Sequence, residues 1–449
     1  MKNVAALLSF GWVLASLVNP WFVTAAPILQ STQTVVPAAI PFPSVPEDAV
    51  VHMEKKWVKE YETYFDKPLM TRSLQKTREI RRALKRIAQR TGKKTALIYA
   101  VPSPSQLELI LVTPYARPIR KTVNEANRNT LMEVAQEFRM TASDPRQVHN
   151  TKYLKSAQQL YRWLVTPLET DLQAQGIDIL VFCTGAGLRS VPFSALHDGQ
   201  QFLVEKYSVA LIPAFNLTTT HYTDLRNAPV LAMGASQFQD LTPLPAVPLE
   251  LSTIVQTQGG QAFLNSQFTL DTLKAERQRQ SFQIVHLATH GEFLPGSVSN
   301  SFIQLWDDRL KLDQLRQLQL NQPPVDLLVL SACRTALGDQ QAELGFAGLA
   351  VQAGVRSVLG SLWYVSDTGT LALMTEFYHH LHTQTLKVEA LRETQIALLK
   401  GSVEIRNGQL FSPAITTPVI LPSQLGRQSN VSLSHPYYWA AFTMIGSPW

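Results

Sequence analysis

The sequence predicts a layered α/β fold, on three observations. Short, continuously apolar runs recur along the chain, as in IDILVFC (177–183), PVLAMGAS (229–236), Phe282 to Ala288 and Leu327 to Leu330. Such runs, ended at once by small residues, mark strands buried on both faces of a parallel sheet. Stretches of helical period alternate with them, and that alternation layers helices against a sheet. Finally, 449 residues exceed one ordinary core, which implies two units of roughly 150 to 220 residues.

Composition narrows the class. With 45% hydrophobic and 16% charged residues the chain is globular, not disordered. Lys and Arg exceed Asp and Glu by 40 to 34, a surplus too small to imply nucleic acid as a partner. Two cysteines, Cys183 and Cys333, make no disulfide framework.

Residues 1–25 read as a secretory signal. Lys2 precedes the uncharged, mostly apolar Val4 to Val18, and Val23-Thr24-Ala25 fits a small-residue cleavage rule. Asn19 and Pro20 interrupt the apolar stretch, which argues against a retained anchor, and no other segment is apolar enough to span a bilayer. The expected protein is therefore exported, periplasmic or extracellular. Pro37, Pro41, Pro43 and Pro46 make residues 26–48 a tether. A short helical extension follows over 49–93. In it Ser73 to Arg90 carries Ile80, Leu84, Ile87 and Ala88 on one face and six basic residues around them. Its plain reading is a solvated surface helix; the sharper one is a contact for an anionic surface or an acidic partner.

Residues 94–225 begin with two strands, TALIYAV and LELILVT, then helices over Asn124 to Met140 and Tyr153 to Gln175, then IDILVFC. The G-x-G at Gly185 to Gly187 opens no helix, so it is no phosphate cradle. Cys183 reads as a small core hydrophobe. In residues 226–449, PVLAMGAS is a strand and LPAVPLEL leads into a helix. A strand and helix lie around Phe263 to Arg279, SFIQLW is strand-like, and Asp313 is a plausible cap for QLRQL. Leu344 to Ala353 is a buried helix, VRSVLGSLW a strand, Thr370 to His382 and Leu386 to Leu399 helices, and YYWAAFTMIG a last strand. Gly401 to Pro436 lacks periodicity and reads as a long loop, with Arg406 and Arg427 as candidate self-processing sites.

Two strand ends carry the chemistry. The run Phe282 to Ala288 delivers His290 and Gly291, and Leu327 to Leu330 delivers Cys333. Open α/β sheets hold their ligands at such carboxyl ends, where an imidazole and a thiol would form a nucleophile pair. His290 is the candidate base because it precedes Gly291 at the strand exit, whereas His286 lies inside the run and belongs to the core. The histidines are not spaced as metal ligands, and no cofactor is called for.

These residues resemble a known family. Ser331-Ala332-Cys333-Arg334, with the histidine 43 residues upstream, approximates the caspase pattern, although Thr335 stands where caspases have glycine. LYRWLVTPLE, GLRSVPFSALHDG, LAMGASQF, HLATHG, LSACRTALGD, SLWYVSD and HPYYWAAFTMIG, in that order, resemble the CHAT domain. That group is caspase-like (clan CD cysteine peptidases), related to separase and frequent in cyanobacteria. The resemblance implies a three-layer caspase-like sandwich of two tandem halves, 94–225 inactive and 226–449 catalytic. It implies a cysteine endopeptidase with Cys333 as nucleophile, His290 as base, and the backbone N–H groups of Gly291 and Cys333 as oxyanion donors. SLWYVSD resembles the separase segment whose aspartate receives a basic P1 side chain, which would make Asp367 the floor of the S1 pocket. Asp367 also reads as a plain cap for a helix starting near Thr368. The helical repeats that precede many members are missing, so the protein substrate stays unnamed. A non-catalytic exported scaffold is the alternative function, since fold does not fix activity.

Overall fold

The computed structural model describes residues 43 to 449 except 71, 336 and 426–429, with backbone alone at 332 and 333. The expected signal, residues 26–42 of the tether, and Arg427 lie outside the described residues. Helix α1 (Pro46–Tyr64) begins inside the expected tether. Proline suits a first helical turn, where its missing N–H has no partner to lose, and Glu47 and Asp48 place negative charge at the positive end of the helix dipole. Helix α2 (Thr77–Thr91) stops at Gly92, whose φ of 74° a glycine accepts freely.

The two expected strands are β1 (Thr95–Pro102) and β2 (Leu107–Val112), which pair antiparallel. Strand β3 (Ile119–Val123) extends them, an edge strand too polar to stand out in the sequence. Helix α3 (Arg128–Ser143) follows. The single helix expected over 153–175 is two, α4 (Tyr153–Leu164) and α5 (Thr166–Ala174), because Pro167 cannot supply the N–H that would continue the ladder. Then come β4 (Ile179–Thr184), α6 (Leu203–Lys206), β5 (Ser208–Ile212), β6 (Val230–Gly234), α7 (Val247–Gln258), β7 (Gly260–Leu264) and α8 (Leu270–Arg279). Next are β8 (Ile284–Phe293), β9 (Phe302–Gln304), β10 (Arg309–Lys311) and β11 (Leu327–Thr335). Asp313 caps nothing: it lies within the first turn of the 3-10 segment Leu312–Leu318, whose flanking residue is Lys311.

The buried helix expected over 344–353 is split at Gly348 into α9 (Gln340–Ala347) and α10 (Leu349–Ala353). A Cβ at Gly348 would stand 2.6 Å from the Phe65 ring, so this glycine admits the end of α1. Strand β12 (Ser357–Ser361) and helices α11 (Asp367–Thr383) and α12 (Lys387–Leu399) match expectation. The expected loop at 401–436 is instead a small sheet of β13 (Glu404–Arg406), β14 (Gln409–Phe411), β15 (Val419–Ile420) and β16 (Val431–Ser432). Its hairpin turns at Asn407 and Gly408, both at positive φ (51° and 72°), the geometry that Asn-Gly favours. Arg406 is paired in that ladder, so a cut beside it requires the hairpin to open. Helix α13 (Pro436–Trp439) takes the first part of the expected last strand, leaving β17 (Phe442–Gly446).

Thirteen strands form one mixed sheet in the order β10-β9-β8-β11-β12-β17-β5-β4-β1-β2-β3, with β6 on β8 and β7 on β6. Strands β7, β6, β8, β11 and β12 are mutually parallel, and so are β5, β4 and β1. Between the two blocks, β17 is antiparallel to β12 and parallel to β5, so the blocks point in opposite directions. Helix α1 is tied into this body by charge. Buried Glu54 accepts from the Tyr99 hydroxyl and the Phe215 and Asn216 backbone, and Glu60 pairs with buried Arg189 at 2.6 Å. Buried charges persist only with such partners.

Candidate active site

Both strands run past the expected exits, so His290 and Cys333 lie inside β8 and β11. The added length pairs them. Leu330 stands opposite Leu287, but Ala332 stands opposite His290 and Cys333 opposite Gly291, so β8 carries one extra residue at a bulge. Bulges of this kind re-aim a strand beside functional sites. On the other edge of β8 the neighbour changes at the same place, since β6 ends opposite Ala288 and β9 begins opposite Gly291. His290 therefore stands where one neighbouring strand has left and the next has not begun. One strand spacing and one residue of rise separate it from Cys333, about 6 Å between Cα atoms. Gly291 lies between Cys333 of β11 and Ile303 of β9.

The loop leaving β6 fills that gap and orients the imidazole. His290 Nε2 lies 2.7 Å from the carbonyl oxygen of Thr242. A carbonyl only accepts, so Nε2 carries the proton and Nδ1 is left as the basic nitrogen. The Phe238 ring meets His290 edge-on at 4.8 Å, and Tyr364 lies nearly parallel to it at 6.4 Å. This partial burial is the main reason that the imidazole is held below its usual pKa, against the opposite pull of the Thr242 bond and of Glu292; Arg334 adds a smaller push down. Glu292 and Arg334 pair across the strand ends at 2.9 Å.

The same loop reaches Asp367. The Ala246 N–H donates to its Oδ2 at 2.7 Å. Asp367 is not the cap of α11, which is Ser366, accepting from the Gly369 N–H; Asp367 is the first helical residue. Burial, with the Glu250 carboxylate adding to it, raises the Asp367 carboxyl to about 7. Its charge is felt by Tyr364, the ring that flanks His290. Asp367 and His290 thus share two neighbours, Tyr364 and the loop 235–246. Phe238, Thr242 and Ala246 were not singled out from the sequence. The available signal was that β6 is a third strand of the same kind, whose carboxyl end must lie beside that of β8.

The residues set aside are structural. His286 is wholly buried, with Nε2 2.9 Å from Glu250 and Nδ1 3.1 Å from the Tyr378 hydroxyl. Cys183 is wholly buried, burial holds its thiol well above its usual pKa, and its Sγ lies 3.5 Å from the Pro213 carbonyl oxygen. No group of three or more His, Cys, Asp or Glu among the described residues is arranged to hold a metal ion.

The mixed α/β sheet thus sets a histidine and a cysteine on neighbouring parallel strands, one residue apart in register. The family model of the CHAT domain matches residues 154–447, and the chain belongs to that family, which is related to cysteine peptidases. No curated protein matches the chain. Among solved structures it is similar to a chain of the Saccharomyces cerevisiae separase–securin complex, with TM-score 0.46 and 10% identity over 83% of this chain and 31% of that one. A second structure of that complex gives 0.43 and 11% over the same shares. The complex of the Porphyromonas gingivalis RgpB pro- and mature domains gives 0.37 and 9%, over 72% of this chain and 77% of that one. The chain spans about three tenths of the first of these.

Proposed function

We propose that the protein is an exported cysteine endopeptidase, caspase-like in its two halves, that cleaves after basic residues. The observation that carries the reading is the Thr242 carbonyl on His290 Nε2, which leaves Nδ1 free to take a proton. Nδ1 removes the Cys333 proton, and the thiolate sulfur bonds to the substrate carbonyl carbon while that oxygen takes the negative charge beside the N–H groups of Gly291 and Cys333. The C–N bond then breaks as the imidazolium gives its proton to the departing amine. A water molecule, deprotonated by the same Nδ1, adds to the thioester and releases the acid and the thiol. Asp367 receives the P1 guanidinium, which relieves a half-buried carboxyl that has no cation partner among the described residues.

The test is a peptide-library digest by the protein beside three variants. Cuts after Arg or Lys are expected to fall by at least about 10³-fold in Cys333→Ala and in His290→Ala. Asp367→Ala is expected to lose the basic preference while Cys333 still reacts with a small alkylating agent. Equal cleavage by Cys333→Ala would sink the proposal, and no cleavage at all would leave the exported scaffold in its place.

A further inference from the structure

The positive charge of this chain is concentrated on one helix. Helix α2 holds six cations against the single acid Glu79, which is five of the six net positive charges of the whole protein. The buried residues of α2 include Ile80, Ala83, Leu84 and Ile87, and the helix packs against α1 and β1. At 3.6 residues per turn, Arg78, Arg82, Lys85 and Arg86 fall within an arc of about 100° opposite that stripe. All four are exposed, and none has a carboxylate within ion-pair distance among the described residues. Two tyrosines flank the row: Lys85 stands over the Tyr115 ring at 5.8 Å and Arg90 over the Tyr222 ring at 5.3 Å.

We infer that this face docks on an anionic bilayer surface. Clustered unpaired cations on one side of a helix gain from a surface whose negative charge is laid out in a plane, and each adds to the attraction. The tyrosines fit the same partner, because an amphipathic ring sits at the level of lipid headgroups. Because α2 packs against both α1 and β1, its basic side is part of the body's surface rather than a protruding rod. That favours a membrane over duplex DNA, whose major groove admits a projecting helix. Docking would hold the rest of the protein at the bilayer through headgroup contacts, although no helix among the described residues is long and apolar enough to cross a membrane.

The experiment is sedimentation of the full chain with vesicles of phosphatidylcholine containing 30% phosphatidylglycerol, and with pure phosphatidylcholine vesicles, at low and high salt. Any contribution of the apolar N-terminal segment is the same for every variant, so the comparison reads α2. The quadruple variant Arg78→Gln, Arg82→Gln, Lys85→Gln, Arg86→Gln is expected to bind the anionic vesicles about 100- to 1000-fold more weakly. A variant with lysine at the three arginine positions should bind as wild type, and high salt should weaken the wild type towards the glutamine variant. Glutamine is a good helix former at exposed sites, and an unchanged thermal melt checks the fold. Equal binding by wild type and glutamine variant, or no preference of wild type for the anionic vesicles, overturns the inference. So does retention of the protein on a DNA duplex together with failure to sediment with the anionic vesicles.

Discussion

Asp367 is a half-buried carboxyl with no cation paired to it among the described residues. Ala246 donates one N–H to it, while Glu250 on α7 adds negative charge and the hydroxyl of Tyr364, the ring beside His290, feels its charge. Its folded pKa of about 7 lies above the ordinary carboxyl value of 3.8. An acid shifted upward costs stability progressively as pH rises from its unfolded to its folded pKa, and the cost levels off above the latter. Asp367→Asn is therefore expected to stabilise the protein, by an amount that grows between pH 4 and pH 7 and reaches on the order of a few kcal/mol at pH 8, read from denaturant midpoints along a pH series. If Asp367 receives the P1 side chain as proposed, the same carboxyl sets a functional limb. Cleavage after arginine should rise between pH 6 and pH 8 as Asp367 ionises, and that limb should vanish in the variant; a limb that persists would assign it to another group. The sequence offered Asp367 as pocket floor or helix cap, and could not choose, because capping depends on backbone angles. Ser366 has them, with φ −57° and ψ 144°.

At the scale of elements, the segment that follows Cys333 is held from across the molecule. Asp339 caps α9 by accepting from the Gln341 and Ala342 N–H groups. Within α9, wholly buried Glu343 accepts from the Gly187 N–H at 2.8 Å and from the Ser190 hydroxyl. Arg139 of α3 completes the cluster, donating to the Gly187 carbonyl at 2.8 Å and standing 4.0 Å from Glu343. The same guanidinium lies 3.0 Å from where a Cβ at Gly338 would be. The sequence gives GLRS as a motif but no reason for it: Gly187 and Ser190 hold α9, and Arg189 between them holds Glu60 of α1. Glu343→Ala would strand a buried guanidinium and two donors, and is expected to cost about 3 to 5 kcal/mol. Urea unfolding should show this as a lower midpoint at unchanged slope. The small sheet at 404–432 was illegible for a different reason. Its strands are two or three residues long, so no period exists to read, and only Asn407-Gly408 announces a turn.

At the scale of the whole molecule, the opposed directions of the two parallel blocks separate the cysteines. Through β5, β17 and β12, Cys183 is level with Leu327, four strand spacings away, and Cys333 lies six residues further along β11. That is about 19 Å across the sheet and about 20 Å along it. A disulfide needs Cα atoms within about 7 Å, so the two cannot pair within one folded chain, even in an oxidising compartment. The native protein is expected to take one alkyl group per chain, at Cys333, and a second only after denaturation, by intact-mass measurement. Two fast labels on the native protein would mean that the β4 region opens readily.

The sequence by itself marked most strands of the parallel blocks, because short apolar runs ended at once by small residues fit strands buried on both faces, and it singled out His290 and Cys333 as the candidate residues beyond two of those runs. Tertiary structure alone decided what surrounds them: the bulge that sets Cys333 opposite Gly291, the loop that brings Thr242 to His290 and Ala246 to Asp367, and β17 joining two opposed blocks. The physical reason is range. Burial and period are written in neighbouring residues, whereas the Thr242 contact spans 48 positions and the Ala246 contact 121, and nothing local in the chain encodes which distant carbonyl or N–H will meet a given side chain.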